Sequence, residues 1–221
     1  MWAKFSLSSE DMHITTEVNV FYFRVMNDWV NAFEQKGWIE LRDFLPLDSS
    51  QGLLEEMKLV QSKEDFHRAS IGKDGDKHIN LSQRGDFISW IDPINAMPYT
   101  SKYIVEISHI ISILNRQFYL GIRDYECHYA HYPIGAFYKR HSDRHAKGSS
   151  RVVSSVFYLN ADWQEGDGGE LVIYDGESNA SLIKPQLGSL ILFLSEIEHE
   201  VLPTHRERKS ITGWMLNETI L

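Results

Sequence analysis

After Gly121 the chain changes texture, and that change constrains the fold more than any other feature. Eight short apolar-rich runs follow one another: RDYECHYAHYP, AFYKRH, VVSSVFYLN, GELVIY, SLIKP, SLILFLS, HEVLP and SITGWML. Gly, Pro, Asp and Asn punctuate them, as they punctuate successive β-strands. About eight short strands in so little chain predict a closed or two-sheet antiparallel structure. Upstream the apolar period is helical. Val18, Phe21, Val25, Trp29 and Phe33 predict a helix over 18–36 stopped at Gly37. Leu53, Leu54, Met57 and Val60 predict a second helix capped by Asp48 or Ser49, and Tyr103 to Phe118 a third, broken at Gly121. WIELRDFLP (38–46) and DFISWID (86–92) read as strands, and residues 67–84 as a long mobile loop of the kind that serves as a lid. The expected fold is α+β: a double-stranded β-helix (jelly-roll) core with N-terminal supporting helices. An extension with a helix covers 1–37 and one domain covers 38–221, with its core at 122–217.

Bulk properties narrow the function. The chain has 221 residues, 43% hydrophobic and 24% charged, which suits one soluble globule. Its 31 acidic and 22 basic side chains give a net charge of -9, a sign that repels phosphate backbones and argues against nucleic acid as partner. The single cysteine, Cys127, excludes an intrachain disulfide and a cysteine-based zinc site, and favours a reducing compartment. No signal peptide is legible at the start, and no apolar stretch approaches the roughly 18 residues of a membrane span. A cytoplasmic protein, monomeric and without membrane contact, is the expectation.

The chemistry concentrates in two places. His141 and Asp143 are spaced i, i+2, which puts both on one face of a strand that runs through them. His199 is remote enough to come from another strand, and Arg208 follows it by nine residues. Two imidazoles and one carboxylate form the facial ligand set of non-haem Fe(II), with positions left for other ligands. Zinc accepts the same set, though it leaves the arginine unexplained. Chance is a further alternative for the short HxD pattern, because the chain has ten histidines, His128, His131, His145 and His205 among them. Arg208 opens an apolar run, where an unpaired charge is costly. Its planar fork suits a carboxylate, either that of a dicarboxylate co-substrate or that of an acidic side chain in a structural ion pair. Arg206 and Lys209 are expected to point elsewhere, toward solvent.

These motifs sit within longer stretches that resemble the Fe(II)- and 2-oxoglutarate-dependent dioxygenases. The likeness is closest to the oxygen-sensing prolyl hydroxylase branch and its bacterial relatives. RGDFISWI (84–91) is similar to that branch's RGDxIxWI, and YPIGAFYKRHSD (132–143) to its YPGxGxxYxxHxD, one residue shorter. VFYLNADWQEGDGGELVIY (156–174) resembles YYLNxDW…GGxLRI, and HEVLPTHRERKSITGWM (199–215) resembles HEVxPxxxxRxxITxWY. The likeness spans about 38–217. It implies a jelly-roll core, Fe(II), 2-oxoglutarate and O₂, with ascorbate as a further candidate cofactor. It also implies hydroxylation of a prolyl residue in a protein, with succinate and CO₂ as co-products. Bacterial relatives suggest a loop of elongation factor Tu as target.

Position by position, the resemblance implies that His141, Asp143 and His199 bind iron. It implies that Arg208 and Tyr158 hold the far carboxylate of 2-oxoglutarate, with Tyr132 nearby. Val156, Leu171 and Thr212 match positions lining that pocket, and Arg84, Tyr138, Arg151 and Trp214 match positions near the peptide groove. Trp214 and Tyr138 also read as simple core aromatics, and Asp86 with Arg151 as an ion pair beneath the lid. The turn after Pro133 is shortened and the text of 72–83 matches only loosely, so the substrate-facing segments depart most from the family. Lysine stands at the Arg208 position in collagen-type hydroxylases, which argues against that branch. Two other readings stay open: the same chemistry on a free amino acid or other small molecule, and a catalytically silent jelly-roll binding module.

Overall fold

The computed structural model describes residues 29–70, 78–144, 149–174, 176 and 179–219. Residues 29–36 are helical (α1), and Gly37 ends that helix with φ +73° while its N–H bonds the Phe33 carbonyl. The expected helix over 18–28 and His145 lie outside the described residues. Then come β1 (Trp38–Leu41), α2 (Leu47–Ser62), β2 (His67–Arg68), β3 (Phe87–Trp90) and α3 (Pro98–Phe118). The β-rich part holds β4 (Asp124–Tyr132), β5 (Tyr138–His141), β6 (Arg151–Tyr158), β7 (Leu171–Tyr174) and β8 (Ala180–Ile183). It ends with β9 (Leu190–Leu194), β10 (His199–Val201) and β11 (Arg208–Leu216). All eight runs expected after Gly121 contain a strand.

The strands form two antiparallel sheets. The larger has the order β1-β9-β6-β11-β4-β3-β2 and the smaller β5-β10-β7-β8. Strands distant in sequence are neighbours in both, which is the jelly-roll arrangement. Each face of the larger sheet has its own core. On one, Leu53 and Met57 of α2 and Tyr103, Ile107 and Leu114 of α3 pack with Phe157, Ile211 and Met215. On the other, Val156, Tyr158, Ile191 and Phe193 of the larger sheet meet Leu171, Ile173 and Val201 of the smaller. The central strands β6 and β9 are therefore apolar on both faces, while β8 at an edge buries only Ile183. Among the described residues no helix is long and apolar enough to cross a membrane.

Several local expectations are corrected. Helix α2 starts at Leu47, with Pro46 as N-cap and no side-chain cap bond; Asp48 instead lies in the first turn, where its charge complements the helix dipole. Helix α3 ends before Gly121. Tyr119 takes the left-handed cap (φ 54°), and the Asn115 amide bridges to both N–H and C=O of Ile122, holding the turn. The 67–84 segment is tied at its ends, by β2 and by an isolated bridge between Arg84 and Tyr138; residues 71–77 lie outside the described set. Strand β5 stops at His141, so Asp143 sits in the bend beyond it rather than on the strand.

Candidate active site

Register brings the histidines together. On the smaller sheet β10 lies between β5 and β7, and His199 is directly opposite His141. Asp143 reaches the same point from the bend after β5 because Ser154 of β6 donates to its Oδ2 at 2.7 Å; Ser154 in turn contacts Ser195 Oγ at 2.9 Å. The ligand atoms of His141, Asp143 and His199 all lie within 4.8 Å of one another. His141 Nε2 is 3.8 Å from one Asp143 oxygen and His199 Nε2 is 3.6 Å from the other. Both histidines bond a main-chain carbonyl through Nδ1, His141 to Lys139 at 2.7 Å and His199 to Ile197 at 3.0 Å. Those bonds make Nδ1 the N–H donor and leave each Nε2 lone pair facing the shared point, as a metal site requires.

Electrostatics agree with that arrangement. Burial, and then the neighbouring His199, hold the His141 imidazole well below its usual range and so neutral. Burial alone would raise Asp143, but the two histidines, Ser154 and the facing Trp214 indole outweigh it and keep the carboxylate ionised. A neutral imidazole at His141 and an ionised carboxylate at Asp143 are forms that bind a divalent ion. This donor set, oxygen and nitrogen with no thiolate, fits Fe(II).

A cavity of about 830 Å³ opens from the triad, within the size range of small-molecule sites. Arg208 lines it and is 2% exposed. Its Nε donates to the Gly169 carbonyl at 2.9 Å and its Nη1 to Ser210 Oγ at 3.3 Å. The guanidinium lies 4.8 Å from the Tyr132 ring and 5.0 Å from the Tyr158 ring. It makes no ion pair with a described acidic side chain, so the structural salt bridge is not what holds it. The Tyr158 hydroxyl is buried without a hydrogen-bond partner; burial raises its pKa while Arg208 pulls it back. A buried cation without a counter-ion beside an unsatisfied hydroxyl fits an anionic ligand that satisfies both. Lys209, expected in solvent, is largely covered and rests on Glu207, whereas Arg206 is exposed.

The other expected residues separate by place. Tyr132, Val156, Leu171 and Thr212 line the cavity with Arg208, as do Arg84, Tyr138, Arg151 and Trp214; Tyr158 is fully buried, with its ring 5.0 Å from the Arg208 guanidinium. The expected Asp86–Arg151 pair does not form. Asp86 is taken by Arg84, with bonds of 2.7 and 2.5 Å, and Arg151 pairs with Glu126 at 2.9 Å while covering the Trp214 ring. Arg84 meets the acid two residues along, and Arg151 of β6 reaches past β11 to Glu126 of β4.

Sequence reasoning missed Ser154, Ser195, Gly169 and His128. The histidine sits 2% exposed in the cavity wall between Trp90 and Trp214, at 5.0 and 5.3 Å, with an unpartnered Nδ1. Its place on β4 opposite Thr212 is the only signal for it, and that requires knowing the strand pairing.

Comparison with known proteins follows the same lines. Residues 127–216 match the model of the 2OG-Fe(II) oxygenase superfamily. A Pseudomonas putida prolyl-4-hydroxylase structure is 37% identical, covers 86% of this chain and 97% of its own, and superposes with a TM-score of 0.78. A Trichoplax adhaerens prolyl hydroxylase, solved with a hypoxia inducible factor peptide fragment, is 28% identical with a TM-score of 0.80 over 88% of this chain and 90% of its own. Human Egl nine homolog 1 is 29% identical over 198 residues, 84% of this chain. The chain spans 28% of the length of the Caenorhabditis elegans relative and 45% of the human one, so it corresponds to only part of those proteins. With its jelly roll, its converging triad and these relatives, the chain belongs to the prolyl hydroxylase family of the 2OG-Fe(II) oxygenases.

Proposed function

We propose that the protein hydroxylates a prolyl residue in a cytosolic protein, with Fe(II), 2-oxoglutarate and O₂, yielding hydroxyproline, succinate and CO₂. The observation that carries this reading is Arg208, a buried guanidinium in the cavity wall that lacks a carboxylate partner among the described residues. His141, Asp143 and His199 would hold the iron. Bound there, iron supplies the O₂ chemistry that no side chain can perform. Ascorbate, as a reductant that keeps the metal ferrous, belongs to the same proposal.

The chain contributes binding, orientation and charge. Arg208 and Tyr158 present donors to the far carboxylate of 2-oxoglutarate, and Tyr132 flanks the guanidinium. Fixing the remote end positions the reacting end before chemistry starts. Val156, Leu171 and Thr212 supply the walls that keep water from the co-substrate. Asp143 stays ionised and offsets part of the metal charge, while His141 stays neutral and donates its Nε2 lone pair. Arg151, Trp214, Tyr138 and Arg84, which also line the cavity, are the residues a peptide would meet. The support for a peptide substrate is the likeness to the two prolyl hydroxylase structures, one of them holding a peptide.

The test has two stages. Anaerobic titration with Fe(II) and then 2-oxoglutarate should produce a metal-to-ligand charge-transfer band in the visible. Incubation with elongation factor Tu, then with a peptide panel, should add the mass of one oxygen atom to a proline. Succinate release with a free amino acid and none with any peptide would transfer the same chemistry to a small substrate. Absence of both the band and turnover would leave only a silent binding module.

A further inference from the structure

His141 is the ligand with the weakest support from its own sheet. Strand β5 is four residues long and lies at the edge of the smaller sheet, where β10 is its one strand neighbour among the described residues, with a register irregularity at that pairing. His199, by contrast, lies on a strand paired on both sides and packs against Phe193 at 4.6 Å. Edge strands are the least constrained elements of a sheet. The segment 83–86 supplies what β5 lacks.

We propose that Arg84 and Tyr138, anchored on Asp86, form a clamp that positions the His141 imidazole for the metal. The inference rests on reading the triad as an iron site. Asp86, with a fully buried side chain, holds Arg84 through two bonds, and the guanidinium lies 4.2 Å above the Tyr138 ring. Tyr138 then lies face to face on His141, with ring centroids 3.5 Å apart and planes 17° from parallel. The main chain makes a second connection. Gly85 N–H bonds the Phe137 carbonyl at 3.0 Å, and Lys139 N–H bonds the Gln83 carbonyl at 2.9 Å. Lys139 is also the residue whose carbonyl fixes His141 Nδ1. One segment therefore controls both the face of the imidazole and its tautomer. Supporting contacts of this kind orient metal ligands and change affinity by about 10- to 100-fold when removed. Arg84 is thus a positioning residue, with its fork committed to Asp86 and its face to Tyr138.

Co(II), whose visible absorption reports ligand geometry, is the probe, used without 2-oxoglutarate or substrate. Tyr138→Leu, which removes the stacked ring, should weaken Co(II) binding about 10- to 100-fold and change the visible spectrum. Tyr138→Phe keeps the ring and should restore both. Arg84→Lys, which retains the charge but not the planar stack, should give an intermediate loss and decides the matter if Tyr138→Leu fails to fold. Wild-type affinity and spectrum in the folded leucine and lysine variants would overturn the clamp while leaving the iron site intact. Wild-type protein that takes up no Co(II) would overturn the iron reading and the clamp with it.

Discussion

Gly169 carries the carbonyl that receives Arg208 Nε at 2.9 Å, and it does so in a backbone conformation, φ +75°, that side chains rarely adopt. A Cβ at that position would meet Arg208 Cδ and Thr204 Cγ2 at 3.0 Å. The GDGG turn before β7 is therefore part of the arginine's setting. Gly169→Ala should cost the fold about 1–2 kcal/mol of left-handed strain and raise the 2-oxoglutarate KM, because the added methyl presses on the Arg208 side chain. Steady-state kinetics with varied 2-oxoglutarate checks this, and an unchanged KM would detach the turn from the co-substrate.

Removing the guanidinium should be more damaging to co-substrate binding than to folding. Arg208→Ala deletes a buried charge that has no ionic partner among the described residues, so stability should change little. The lost charge-assisted bond to 2-oxoglutarate, roughly 1.5–3 kcal/mol, predicts a ten- to hundredfold weaker affinity. Calorimetry of 2-oxoglutarate binding to the metal-loaded protein, beside a thermal melt, separates the two effects. Wild-type affinity in this variant would remove the central support for the functional reading.

Ser154 orients Asp143, and Ser195 orients Ser154. Ser154→Ala should lower Fe(II) affinity about ten- to a hundredfold without altering the expected peptide surface. Competition with a chelator of known affinity measures it. Retention of full iron affinity would mean that the two histidines alone place the carboxylate.

His128 sets part of the acid sensitivity. Burial, reinforced by Arg84 and Arg151, pushes it down to about 3, so the folded protein keeps it neutral where the unfolded chain takes up a proton. Its unfolded value is about 6.5. The unfolded state then binds more protons throughout that interval, and stability falls as pH drops from about 6.5 toward 3. His128→Gln should make the slope of stability against pH shallower by up to about 1.4 kcal/mol per pH unit there. Denaturant unfolding of metal-free protein at several pH values reads this directly. Parallel slopes for the two proteins would show that the imidazole is not buried neutral.

Much of the site was legible because its cues are local. The i, i+2 pair, the later histidine and the arginine nine residues beyond it are visible in the text of the chain. What those cues leave open is which strand lies beside which. Alternation made His141 and Asp143 neighbours on one strand, yet β5 ends at His141 and Asp143 is brought in by Ser154, a residue of another sheet. Asp86 and Arg151 read as an ion pair beneath the lid, but Asp86 is consumed by Arg84 and Arg151 by Glu126, from β6 to β4.

By itself, the sequence determined the eight strand runs, the helical stripes of α2 and α3, and the residue types that can hold a ferrous ion and an organic acid. Those follow from side-chain periodicity and donor chemistry, which act within a few residues. Only the tertiary structure decided that His199 stands opposite His141, that Arg208 is buried without an acidic partner among the described residues, that His128 faces the cavity, and that Tyr138 stacks on His141. Each depends on pairing between segments far apart in the chain. The register of such pairings is set by how both sheets bury their faces together, not by any local pattern.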